Sequence, residues 1–540
     1  MKSAVNMDDD TWTGSDCAFQ IAAAWLRTCL VEHSGCRRGQ IDLPDLPKRI
    51  IDVGPPDGSE APRLYPGKGI RDIYFALSYR WSERTKDFMT TKAKHRAYYF
   101  EIPTHELSQT IRDAIAITRI FGVRYLWIDA LCIVQDDGKD WRLQAKNMAR
   151  IYQNATLTIS AAGKMVEGWE GCFKFRKRRR VRPVDCRHRW PDGSSVYIFA
   201  DRLATGDGIR PASVLDTRGW ILQEQILSPR ILTYSDHELF WDCATLNASE
   251  SFPGQIPTFY DADLSQRHMR LFKDAISRGQ TWGSAKFKKT KLLMHWKKVI
   301  ENYSARNLTN ERDKLVALLG IAEQTADLVQ DELLFGLWKD TLWREVLWWV
   351  KDPQTAVAST TYGAVTWSWL SLHGAVSFDL SRDSEEYAID PCIRILDVDI
   401  QESEDYYHAS TDSGAAPMLG ELRVRGKVVP FHLFPEKLDP AAATGSSPLL
   451  ISKWRADVPR LNTAAIKCLV VAASAFYVYG LALFPYPSHD RQDVAYLRVG
   501  FVQWIVSNTQ DPQKMLYKFG WNRRQRWWLE GSGLEIIRIK

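Results

Sequence analysis

Between Ile73 and Cys243 the chain alternates between two hydrophobic periods, and that alternation limits its fold more than any other feature. "IYFALSY" is a continuous apolar run of strand length. In "HELSQTIRDAIAITRIFG", Leu107, Ile111, Ala114, Ile115 and Thr118 recur at helical spacing. "YLWID", the helix-period "WRLQAKNMARIYQNA" and the strand-like "TLTISAA" continue the pattern, and "RILTY" and "ELFWDC" add further strands. Uninterrupted apolar strands separated by helices imply βαβ units and a largely parallel sheet buried on both faces. In such a sheet ligands bind at the carboxyl ends of the strands. Ser78, Tyr79, Arg80 and Trp81 fall there after the first strand, and Asp129 after the second.

The flanking sequence reads differently. Residues 1–48 predict a helical lead-in, with "CAFQIAAAWLRTCLVEH" as its apolar face. Residues 49–250 form the α/β domain, interrupted at about 163–215 by an insertion carrying the basic run Lys174 to Arg182. Residues 251–352 read as helical, "DTLWREVLWWV" among them, and 353–540 as β-rich. "CLVVAASAFYVYGLALF" is too short and too interrupted for a membrane helix, and reads better as two buried strands, with "AYLRVGFVQWI" as a third.

Composition excludes several classes. A net charge of +6 on 540 residues is too weak for a dedicated nucleic-acid binder. Nine cysteines without a C-x-x-C pair fit a reducing compartment, and no zinc-ligand spacing is expected. The acidic N-terminal stretch, without an apolar core, is not expected to be a secretion signal. The 22 Trp favour packed cores and apolar pockets.

One short segment, "RGWILQEQILS" (Arg218–Ser228), predicts an amphipathic helix with an awkward Glu224 one turn after Trp220. Three blocks, "YFALSYRWSE", "LWIDALCIVQDDGKDWRLQAKNMARIYQNATLTISAAG" and "LDTRGWILQEQILSPRILTYSDHELFWDC", occur in an informative order. Together they resemble the fungal heterokaryon-incompatibility domain, whose pattern runs A-L-S-Y-x-W-G, L-W-I-D-x-L-C-I-x-Q, M-x-x-I-Y-x-x-A and R-x-W-x-x-Q-E-x-x-L-S-x-R. Ser82 replaces the usual Gly, Val134 the usual Asp, and Asp242 the Glu of the closing W-E-C. Val134 removes a carboxylate near the second strand. The resemblance implies a role in non-self recognition and programmed cell death.

That domain in turn resembles Toll/interleukin-receptor (TIR) domains, some of which cleave NAD. The resemblance implies a TIR-like α/β fold with Glu224, four residues after a Trp, as the catalytic carboxylate. Ser78, Arg80, Trp81, Asp129 and Trp220 would bind the substrate. Such a Glu stabilises an oxocarbenium-like cation as nicotinamide leaves; Arg80 meets a phosphate and an aromatic stacks on a base. NAD is then a substrate, and no cofactor or metal is required.

Plainer readings stand beside these. Glu224 can be the ion-pair partner of Arg218 or Arg230, Asp129 a helix cap, Cys132 a core thiol, and the tryptophans packing residues. Three function classes stay open: an NAD-cleaving enzyme, a non-enzymatic signalling module that oligomerises or assembles with a protein partner, and an accessory protein recruited to a secondary-metabolite pathway. A cytoplasmic location is expected, with the basic run 174–182 as a route to the nucleus.

Overall fold

The computed structural model describes residues 12–36, 43–163, 171–175, 183–189, 195–199, 213–256, 264–278, 285–362, 365–380, 389–401, 419–430, 449–457, 465–473, 477–486, 495–506 and 535–540. Most of the 163–215 insertion, including residues 176–182 of the basic run, lies outside these. Two compact units emerge: Met1–His295 with Val316–Leu328, and Trp296–Leu315 with Val329–Lys540.

The first unit is built on one eight-stranded sheet. In chain order its strands are β1 (Arg49–Asp52), β2 (Arg63–Pro66), β3 (Tyr74–Ser78), β4 (Tyr125–Trp127) and β5 (Leu157–Ala161). A separate hairpin, β6 (Pro183–Arg189) and β7 (Ser195–Phe199), precedes β8 (Arg230–Tyr234), β9 (Leu239–Cys243) and β10 (Asn247–Ser249). The spatial order is β10-β9-β8-β5-β3-β4-β1-β2. The four central strands, β8-β5-β3-β4, are parallel, and antiparallel pairs extend the sheet at both edges. The chain order therefore reverses between β3 and β5, and the crevice at their carboxyl ends is the topological switch point where such sheets take ligands. Every residue of β3, β4 and β8 is buried, which is why β3 and β4 read as nearly continuous apolar runs.

The helices follow from the predicted periodicities. They are α1 (Asp16–Glu32), the single turns α2 (Thr85–Phe88) and α3 (His95–Tyr98), α4 (Gln109–Ile120), the single turn α5 (Asp129–Cys132), α6 (Gly138–Asn154) and α7 (Gly219–Leu227). Farther on come α8 (Leu264–Arg278), α9 (Ala285–Ser304) and α10 (Asp313–Val329). Asp137 caps α6 by accepting from the backbone N–H groups of Lys139 and Asp140. Ala145, Met148, Ile151 and Tyr152 of α6 are buried at helical spacing.

The segment expected to be an amphipathic helix, α7, is instead buried on almost every side, with Ile221, Leu222, Gln223, Glu224, Ile226 and Leu227 all enclosed. It packs against α6 and α8, and α10 approaches so closely that a Cβ on Gly320 would overlap Ala149 and crowd Gln223. With neighbours on several sides the helix needs no polar face. Glu224 is thus a carboxylate inside the domain, not on its surface.

In the second unit, strands Lys467–Ala473, Tyr477–Tyr486, Ala495–Val506, Glu535–Ile539 and Leu419–Pro430 pair in sequence. The last pairs back to the first, closing a ring. The apolar stretch from Cys468 to Phe484 is therefore two neighbouring strands, and among the described residues no helix is long and apolar enough to cross a membrane. "DTLWREVLWWV" departs from expectation: it makes only a 3-10 turn and one α-turn, Leu342–Glu345, before Trp349 and Val350 join a strand pair. Its aromatic and β-branched end suits a pleated surface better than a helix. The α/β class followed by a helical stretch and a β-rich C-terminal region is what the structure has.

Candidate functional site

The carboxyl ends of β3 and β4 bring two acids together beneath the switch point. Asp129 opens α5 immediately after β4 and Ile128, and its Oδ1 accepts from the N–H of Ala130 at 2.6 Å. Trp81, three residues beyond β3, donates from Nε1 to Asp129 Oδ2 at 2.7 Å. Glu224 enters from α7 and is only 6% exposed. Burial lifts its pKa to about 7; the Ser78 hydroxyl opposes this by hydrogen bonding, the Asp129 charge adds to it, and Arg218 offsets part of it. Burial also raises Asp129, against the bond from Trp81. Glu224 Oε2 is buried with no hydrogen-bond partner, a costly arrangement away from a functional site.

Tyr152, which the sequence did not single out, completes the surroundings together with Tyr79 and Arg218. Tyr152 of α6, within the M-x-x-I-Y motif, lies against Glu224 and donates its hydroxyl to Leu77 O at 3.0 Å. Burial, then the charge of Asp129, pushes the Tyr79 phenol upward, and Glu224 adds to this. Arg218 donates from Nη1 to Tyr79 O at 3.2 Å, and its charge favours both carboxylates. Their signal in the sequence was position inside the quoted motifs, not residue type.

The remaining candidates separate. Arg80 is exposed and lines a cleft with Tyr79, Thr110, Ala161, Gly163 and Lys174, directly at the β3–β5 switch point. The empty volume of that cleft is about 370 Å³ including its open mouth. Ser78 and Glu224 do not line it; Tyr79 is the residue shared by the cleft and the acid cluster. Trp220 packs edge-to-face on Trp141 of α6, with centroids 6.4 Å apart. Arg230 directs its donors to Cys29, Thr156 and Cys36. Cys132 is a buried thiol whose pKa burial pushes up to about 12.

At the sheet's other end lies a cluster of cysteines and a histidine without any C-x-x-C pair. Ligand atoms of Cys29, His33, Cys36 and Cys243 all fall within 4.8 Å of one another. The expectation that no zinc-ligand spacing exists overlooked Cys29-x3-His33-x2-Cys36, because its fourth member sits in a distant strand.

Residues 74–224 match the family model described as Heterokaryon incompatibility protein (HET), from the first residue of β3 to Glu224 itself. No curated protein matches the chain, and no solved structure does.

Proposed function

From the premise that residues 74–224 are a heterokaryon-incompatibility domain, we propose that this domain is a cell-death effector that cleaves the nicotinamide–ribose bond of NAD. The observation that carries this reading is Glu224: a carboxylate enclosed at the carboxyl end of the sheet, its Oε2 unpartnered, with Ser78 and Asp129 at hand.

The chemistry suits that arrangement. Departure of nicotinamide leaves positive charge on the ribose, and a fixed anion in a water-poor site stabilises it strongly. A second acid, Asp129, held by Trp81, orients a hydroxyl or an attacking water. Arg80 and Lys174 supply positive charge at the cleft for the pyrophosphate. Nicotinamide leaves neutral, so no strong acid is needed.

The separation of Glu224 from the cleft favours a second reading as well. Glu224 is buried and does not line the cleft, so a dinucleotide reaches it only if neighbouring side chains give way. An effector that acts by assembly with a protein partner, without catalysis, requires no such opening.

The discriminating experiment is overexpression of the full chain and of Glu224→Gln in a fungal host. The effector enzyme predicts that the parent kills and the folded variant does not. Equal killing by a folded Glu224→Gln removes the catalytic reading and leaves assembly.

A further inference from the structure

We propose that Cys29, His33, Cys36 and Cys243 form a structural zinc site that fastens the N-terminal helix to the edge of the sheet. The four residues lie outside the matched segment 74–224, so the site is separate from the acid cluster.

Three ligands come from one eight-residue stretch of chain, Cys29 to Cys36. Cys29 lies in the last turn of α1, His33 is the residue that ends it, and the short 3-10 helix Ser34–Cys36 brings Cys36 round. Cys29 and His33 are four residues apart and so share one helix face. The fourth, Cys243, is the last residue of β9. The three cysteines are buried and His33 is half-buried.

The distances suit one tetrahedral ion. With Zn–S about 2.3 Å and Zn–N about 2.0–2.1 Å, tetrahedral angles place sulfur and nitrogen about 3.5 Å apart. Cys243 Sγ and His33 Nδ1 are 3.5 Å apart. All four ligand atoms lie within 4.8 Å of one another, too compact for a polynuclear iron–sulfur cluster. Four protein ligands leave no position for substrate, which makes the site structural.

The surroundings are those of bound thiolates. Arg230 donates from Nε to Cys29 Sγ at 3.2 Å, and the N–H of Leu246 donates to Cys243 Sγ at 3.2 Å. The Thr245 hydroxyl lies 3.6 Å from Cys36 Sγ. Three thiolates, a neutral imidazole and Zn²⁺ carry one net negative charge. The fully buried guanidinium of Arg230, which also donates to Cys36 O, supplies the opposite charge. Such outer partners fix ligand orientation and tune the metal.

The test uses the full chain, purified under reducing conditions without chelator. Elemental analysis is expected to give one zinc per chain. Cys36→Ser and Cys243→Ser should each lower that at least tenfold, while Cys17→Ser, outside the cluster, retains it. Should the serine variants fail to fold, cobalt(II) exchanged into the parent gives the readout. Tetrahedral d–d bands with thiolate charge transfer are expected. The proposal is overturned by a folded, reduced parent that takes up neither zinc nor tetrahedral cobalt. It is equally overturned by folded Cys36→Ser and Cys243→Ser variants that hold zinc at the parent level.

Discussion

Trp81 Nε1 donates a 2.7 Å hydrogen bond to Asp129 Oδ2, joining the loop after β3 to the turn that follows β4. This bond unites the first two sequence blocks at the carboxyl edge of the sheet. It also assigns Trp81 a positioning role: the indole N–H is spent on an acid.

Trp81→Phe keeps most of the ring and removes the donor. The expected cost is about 1–2 kcal/mol, since a half-buried carboxylate loses a charge-assisted bond. Because that bond holds the Asp129 pKa down, the variant raises it further. Urea denaturation should show a loss that grows as the pH rises and Asp129 ionises.

Glu224 predicts a stability that falls as pH rises. Its folded pKa, about 7, exceeds the ordinary 4.5, so between these values the folded chain binds the extra proton. Folding gains from that proton below pH 4.5 and loses the gain progressively up to and through pH 7. The full difference is on the order of 3 kcal/mol. Ser78, Tyr79, Tyr152, Asp129 and Arg218 face the group, and the charge of Asp129 adds to the rise. Glu224→Gln removes the dependence, so its stability relative to the parent should be higher at pH 8 than at pH 5 in matched denaturation curves.

Much of this was legible in the sequence, for physical reasons. Strands β3 and β4 are largely apolar because both faces are covered, β5 and β8 bury Leu157, Ile159, Ile231 and Leu232, and α4 and α6 carry a clear 3.6-residue period. The W-x-x-x-E spacing singled out Glu224. What lay hidden depends on tertiary neighbours. No local pattern says that α7 is surrounded, that Tyr152 reaches Glu224, or that Cys243 returns to Cys36. The short helix at Leu342–Glu345 shows the opposite failure, where a helix-like pattern yields to a buried strand pair.

Arg80 is exposed, so Arg80→Ala should leave stability within about 0.5 kcal/mol of the parent. If the cleft at the switch point takes a pyrophosphate, the variant raises KM for NAD by roughly tenfold or more, the loss of one charged hydrogen bond, with kcat little changed. Steady-state kinetics against NAD, with thermal denaturation as the fold control, checks both halves.

The most direct measurement is nicotinamide release from NAD by the purified full chain, compared with a Glu224→Gln protein that melts as cooperatively as the parent. The account predicts release by the parent, rising with pH as Glu224 ionises near pH 7, and a loss of at least a hundredfold in the variant. Release by Glu224→Gln at the parent rate would contradict it.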